Sequence, residues 1–349
     1  MVYDSDMNKD NKWLLASHMQ KAIRRGLTQE AIWALEHLYN VDRSYMAYRL
    51  GVVMAEDVVA GGDFTLPTGT NPWGARYFDA KKNEDELKLW LELVTQMAES
   101  IKDSTPCEHI ACVNYLTDFE KTQGKKWQDI SIDEAIEGMT NTDKPWWWRG
   151  LMSWRAVGSK KYPSQGLPEV EGDPNAWLET CNEKDRFFIE KIGFKHIEPH
   201  VVFLPLARMY QREGGLLREE EAILSHGKSN MWLYCALDKH TREGGQALSL
   251  FIKQSSLQDL QKLKSCCDPF DALGRLYFWA EGGKHKRFLS YEASSVIKKD
   301  IRSRWLKTHN LNGRWFFDTW FDLPRMNRCR DYTVQASFGP QNDALKQKI

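Results

Sequence analysis

Neither sign of charge dominates this chain. Its 48 Lys and Arg are matched by 48 Asp and Glu, which denies it the broad positive field of a general polyanion binder, so any nucleic-acid contact has to be local. Long apolar runs are also missing. The longest, Val201-Val-Phe-Leu-Pro-Leu-Ala207, falls far short of the roughly 18 to 20 residues that a membrane span needs. The amino terminus, Met1-Val-Tyr-Asp-Ser-Asp6, lacks the basic-then-apolar layout of a signal peptide. Both observations point to a cytoplasmic chain with no membrane partner. Cysteines are few and unpatterned: seven, an odd number, with only Cys266 and Cys267 adjacent. That argues against a disulfide framework and for reduced core residues.

Metal and catalytic patterns are equally sparse. Cys107-x-His109-x-x-Cys112 has the right ligand types but no second pair, and a helix splays the three around more than half its circumference. His196-Ile-Glu-Pro-His200 has the spacing of a helical zinc site, yet Pro199 breaks the helix and the glutamate is out of order. Ala222-Ile-Leu-Ser-His-Gly227-Lys228-Ser229 imitates a phosphate loop. The acidic Arg218-Glu-Glu-Glu221 before it repels phosphate, so a helix ending at Gly227 and a new one capped by Ser229 is the reading adopted. Asp238-Lys-His240-Thr-Arg242-Glu243 gathers an acid, a base and a hydroxyl beside glycines, which capping and a turn-stabilising ion pair account for. No metal, no cofactor and no catalytic residue is therefore expected.

What the chain does have is tryptophan, 15 in all, concentrated in Lys144-Pro-Trp146-Trp147-Trp148-Arg149-Gly-Leu-Met-Ser-Trp154-Arg155. Aromatics interleaved with cations stack on single-stranded bases, and the same residues anchor protein interfaces or fill irregular cores. Residues 281–330 hold twelve Lys and Arg against five acids. Within that stretch Lys298, Lys299, Arg302, Arg304 and Lys307 alternate with Ile301, Trp305 and Leu306, giving a helix with one greasy and one basic face. Such a face binds phosphates through counterion release or is simply solvated. The candidate nucleic-acid contacts are Trp146, Trp147, Trp148, Arg149, Arg155, Lys298, Lys299, Arg302 and Arg304.

The first sixty residues are the most patterned. Leu15, Met19, Ala22 and Ile23 recur at helical spacing, Gly26 suits a helix end and Thr28 a cap. A second stripe runs through Ala31, Ile32, Leu35 and Leu38. Asn40 and Asp42 supply a stop and a start before a third helix carrying Met46, Leu50 and Val53.

This order of residues resembles the helical region that follows the ATPase core in the RarA family of replication-associated recombination ATPases, relatives of the clamp loaders. The matching positions include Ser17, Lys21, Ala22, Ile23, Arg24, Gly26, Ala31, Ile32, Trp33, Leu35, Ala47, Arg49, Leu50, Ala55, Glu56 and Asp57. The resemblance covers about residues 12–60 and implies a collar-like element that joins subunits. Its site residues here would be Lys21, Ile23, Arg24, Gly26, Trp33, Arg49, Glu56 and Asp57. Only 11 residues precede Lys12, so the resemblance implies an ATPase supplied by another chain.

The organisation expected is mainly α, a helical bundle or stacked helical hairpins with no clear sheet. Residues 1–60 form the collar-like unit and 61–155 a helical domain ending in the Trp-rich segment. A Gly/Pro-rich linker spans 156–175, a hairpin domain 176–330 and a polar tail 331–349. Ser131-Ile-Asp-Glu134 reads as a capping box. Glycine pairs at 214–215, 244–245 and 282–283 read as helix-ending turns of stacked repeats. The function expected is that of a non-catalytic replication or recombination accessory protein, with a phage or mobile element as a candidate source, that forms a homo-oligomer or joins a clamp-loader-like ATPase. A single-stranded DNA-binding accessory and an inhibitor of a host replication or defence protein are the alternatives.

Overall fold

The computed structural model describes residues 9–58, 86–113, 127–158, 169–192, 199–213, 216–219 and 227–338. The chain is mainly α-helical. Helices α1 (Lys12–Arg24) and α2 (Thr28–Val53) come first, followed by a π-helical turn at Met54–Val58. Next are α3 (Glu86–Glu99), α4 (Thr105–Val113), α5 (Ile132–Thr140), α6 (Trp146–Val157), α7 (Pro174–Glu179), α8 (Glu183–Ile192) and α9 (Leu204–Arg212). Strands β1 (Leu216–Glu219), β2 (Lys228–Ser229) and β3 (Trp232–Leu233) precede α10 (Arg242–Lys253), α11 (Leu257–Lys264) and α12 (Pro269–Tyr277). A second π-helical turn, Phe278–Gly282, leads to β4 (Arg287–Ser290), α13 (Glu292–Thr308), α14 (Gly313–Trp320) and α15 (Leu323–Phe338).

Packing divides the chain into two compact units that are discontinuous in sequence. Unit 1 gathers residues 1–46, 220–286 and 306–349; unit 2 gathers 47–219 and 287–305. In unit 1 the stripe Leu15, Met19, Ala22 and Ile23 is buried with Ala31, Leu35, Leu38, Trp232, Phe251, Leu273 and Trp320. The Ser17 hydroxyl ties α1 to the Tyr234–Ala236 turn by donating to the Ala236 carbonyl at 2.8 Å. Helix α10 packs along α15 and against α12.

In unit 2, α5 and α6 pack along each other so closely that a Cβ on Gly138 would meet the Met152 side chain at 2.9 Å. Trp90, Trp127, Trp154 and Trp177 are fully buried there. β1 pairs antiparallel with β4, from Leu216 opposite Ser290 to Glu219 opposite Arg287. Much of the tryptophan surplus is thus core material, in keeping with the large apolar area each indole removes from water.

Local signals translate unevenly. The capping box forms as expected: Ser131 accepts from the Glu134 amide and Glu134 reaches back to the Ser131 amide. The break at 40–42 is a kink inside α2, where Asp42 leaves helical geometry (φ −159°, ψ 86°) and its carboxylate caps the Tyr45 amide at 3.0 Å. Two expectations fail for identifiable reasons. Gly244 and Gly245 lie in the first turn of α10, behind the Thr241 cap, because the Asp238 carbonyl would lie 2.0 Å from a Cβ at 244. Lys228 and Ser229 belong to a β2–β3 ribbon turning at Asn230 (φ 57°), not to a helix start. That ribbon and the β1–β4 pair are small sheets that helical periodicity gave no hint of. Residues 331–338 continue α15 with Thr333 and Val334 buried, so the polar tail is helical that far.

The linear domain plan also differs from the packing. Residues 1–60 are shared between both units, and 156–175 lies within unit 2, where Gly158 and Gly172 pack backbone to backbone. Helices bury their stripes against partners distant in sequence, which no linear boundary expresses. Gly214 and Gly215, His196, and residues 222–226 lie outside the described residues.

Candidate interaction surfaces

The basic end of α1 turns inward. Lys21, Arg24 and Arg25 are buried. Arg24 donates to the Gly282 carbonyl at 2.8 Å and Arg25 to the Glu281 carbonyl at 2.7 Å, so both satisfy the terminal carbonyls of the second π-helical turn. Lys21 pairs with Asp238 at 3.2 Å, and Arg330 with Glu281 at 2.9 Å. Burial pushes the Lys21 ammonium below its ordinary range, while Asp238 is lowered despite its own burial because Lys21 and the His240 amide favour its charge. Asp238 is therefore a structural partner. Its other role is the turn it makes with the His240 amide, and His240 itself is exposed.

Of the eight expected assembly residues, Lys21, Ile23, Arg24 and Asp57 are buried and offer no surface to a partner. Gly26, Trp33, Arg49 and Glu56 are half-buried. Trp33 packs edge to face with Trp232 at 5.5 Å, in a cluster with His18 and His37. His18 is held by Glu30, whose pKa is lowered to about 2 by His18 and Lys228.

The outer side of the same hairpin carries a group that the linear pattern does not single out. Trp13, 56% exposed, meets Tyr45 edge to face at 4.9 Å. Lys12 sits 5.6 Å from the Trp13 ring centre and 5.1 Å from that of Tyr45, anchored by Asp42 at 3.1 Å. Arg43 lies over Tyr39 at 5.3 Å. The α2 kink assembles this patch by bringing Asp42 and Tyr45 to the start of α1, a placement that residue spacing alone does not reveal.

The expected nucleic-acid residues separate into two groups. Arg149 is a core staple: its guanidinium lies 4.6 Å from the Tyr210 ring centre and donates to the Met139 carbonyl at 3.3 Å. Arg155 is committed to the Glu171 carbonyl. In contrast, Trp146 and Arg304, far apart in sequence, come together with 5.2 Å between guanidinium and ring centre. Trp147 and Trp148 are half-buried and pack edge to face at 6.0 Å. On α13, Ile297, Ile301 and Trp305 face inward while Lys299 and Arg302 are exposed. Lys298 pairs with Glu108 at 2.9 Å and Arg304 with Asp300 at 2.8 Å, so two of the cations of this helix are already ion-paired.

No family model, curated protein or solved structure matches the chain.

Among the described residues no group of three or more His, Cys, Asp or Glu is placed to hold a metal. His109 stands between Phe203 and Tyr210 with ring centres 5.3 and 5.8 Å away, and its two ring nitrogens are buried without a hydrogen-bond partner. Burial and Arg149 lower its pKa to about 3, so it is a neutral aromatic spacer at physiological pH. No described helix is long and apolar enough to cross a membrane.

Proposed function

We propose that the protein is a non-catalytic accessory factor of DNA replication or recombination that acts by assembly, with itself or with a clamp-loader-like ATPase, through the outer face of its first helical hairpin. The observation that carries this reading is solvent-exposed Trp13 with half-buried Tyr45 and Lys12 packed against it. Trp, Tyr and Arg lead the residues that anchor protein interfaces. The cluster also lies within the segment that resembles a subunit-joining collar. The buried basic residues of α1 hold that hairpin in shape and leave recognition to Trp13, Tyr39, Arg43 and Tyr45.

Sedimentation of the purified chain at micromolar concentrations, alone and with a clamp-loader-like ATPase, tests the reading. A defined oligomer or complex is expected, weakened at least tenfold by Trp13→Ala or Tyr45→Ala, the cost typical of an interface anchor. A monomer that ignores the ATPase, or a complex indifferent to both substitutions, overturns it.

A second reading rests on a separate observation, the Trp146–Arg304 pair beside exposed Lys299 and Arg302. This face suits a short stretch of single-stranded nucleic acid, with a base on the indole and phosphates on the two exposed cations. Each neutralised phosphate adds about 0.7 to the slope of log affinity against log salt. A Lys299→Glu/Arg302→Glu double variant is expected to flatten that slope by about one or more, as measured by fluorescence anisotropy. No binding at low salt removes the reading.

A further inference from the structure

Cysteine order suggests reduced core residues, and Cys181, Cys235 and Cys329 are indeed buried. Cys266 and Cys267 are not. Both are half-buried, and they form the middle of the link Ser265–Asp268 that joins α11 to α12 within unit 1. The link is held at both ends. The Cys266 and Cys267 amides each donate to the Leu263 carbonyl at 3.0 Å, and the Asp268 carboxylate caps the Asp271 amide at 3.2 Å. The Cys266 thiol donates to the carbonyl of Asn310, a residue of left-handed backbone (φ 51°), at 3.9 Å.

Neighbouring thiols can close on each other or on a third atom. A trans peptide joins these two and sets their Cα atoms about 3.8 Å apart, short of the roughly 4.4–6.8 Å that a disulfide ordinarily spans. A sulfur–sulfur bond here costs strain, which a thiophilic atom inserted between the sulfurs relieves by enlarging the ring. Electrostatics favours the same outcome. Burial pushes the Cys267 thiol up to about 11, with Cys266, Asp268 and Asp271 adding to the rise. It is protonated at neutral pH, and a protonated thiol is a poor nucleophile toward peroxides and disulfides. Zinc also requires deprotonated sulfur, and among the described residues no third His, Cys, Asp or Glu completes such a site. A condensation that expels water has no need of a standing thiolate, because the thiol proton departs with the leaving hydroxide.

We propose that Cys266 and Cys267 together chelate one uncharged trivalent arsenical, a hydroxide of As(III). Two As–O bonds break and two As–S bonds form. Each displaced hydroxide leaves as water with a thiol proton, and arsenic stays trivalent throughout. Its third position keeps its oxygen or organic substituent. With both thiols on one short, pre-shaped link the second bond forms intramolecularly, which strengthens retention about 10²–10⁴-fold over a single thiol.

The reduced full chain is titrated with phenylarsine oxide, an uncharged As(III) compound that condenses with two thiols, and the adduct is followed by native mass spectrometry in excess glutathione. One arsenical per chain is expected, bound with loss of one water, resistant to the monothiol and removed by a small competing dithiol. Cys266→Ser and Cys267→Ser are each expected to weaken retention at least a hundredfold. Cys107→Ser, at the other cysteine pair marked by its spacing, is expected to leave it unchanged. Retention that survives either serine change in the link, that falls with Cys107→Ser, or that glutathione abolishes in the unaltered chain overturns the proposal. Should one link variant fail to fold, the other and the glutathione challenge of the unaltered chain decide.

Discussion

His109 and Asp103 are two buried titrating groups of unit 2 whose pKa values move in opposite senses. The His109 pKa falls to about 3 from an ordinary 6.5, so the folded state excludes its proton. Its stabilising contribution is complete above pH 6.5 and is lost as pH falls from 6.5 toward 3. His109→Phe keeps an aromatic ring between Phe203 and Tyr210 and removes that loss. Its urea midpoint is expected to fall less than the wild type's between pH 7 and 4.5, a difference of about 2 kcal/mol. Asp103 is raised to about 6 by burial, against hydrogen bonds from Thr105 and Gln211. Its folded state favours the proton, so stability is lost as pH rises from about 4 through 6. Asp103→Asn is expected to gain about 2 kcal/mol in urea unfolding at pH 7 and nothing at pH 4. Neither behaviour is legible from residue order. His109 reads in the sequence as a thin ligand candidate beside Cys107, and only the ring stack built from Phe203 and Tyr210 makes it a spacer.

Elements were legible where their signals are local. The capping box at Ser131 involves atoms three residues apart, so spacing alone reveals it. Ser131→Ala is expected to cost about 1 kcal/mol in chemical denaturation. At the far end of the adjoining helix, Gly158 has φ 90° and a Cβ there would meet the Gly172 backbone nitrogen at 2.6 Å. Gly158→Ala combines a strained backbone with a clash and is expected to cost more than the Ser131 change, as read from the same unfolding curves. Gly244 shows the limit of such local reading. A glycine pair ordinarily marks a helix end, yet here it opens α10 because a remote carbonyl needs the room.

At the scale of the whole molecule, the chain crosses between its two units four times, and the collar-like segment is cut by the first crossing at Met46. The buried stripe of α1 and α2 depends on Trp232, Ala236 and Gly282, which lie far along the chain. A peptide of residues 9–58 is therefore expected to show little cooperative helix by far-UV circular dichroism, since short helices in water rely on packing for their stability. A cooperative melt of that peptide would make the segment an autonomous module. An assembly role for the segment accordingly belongs to the intact protein, through the outward Trp13 patch.

Residue order by itself determined that the chain is built mainly of amphipathic helices, where several of them begin, and that its charges cancel. Those properties follow from periodicities of three and four residues and from caps a single turn long. The tertiary structure alone decided which charged groups face inward. Lys21, Arg24 and Arg149 carry the same charge as Lys299 and Arg302, and only the carbonyls, carboxylates and rings brought to them from remote segments make the first three structural. It also decided that Trp13 stays in solvent while Trp154 fills a core, because burial depends on what the rest of the fold places opposite each ring.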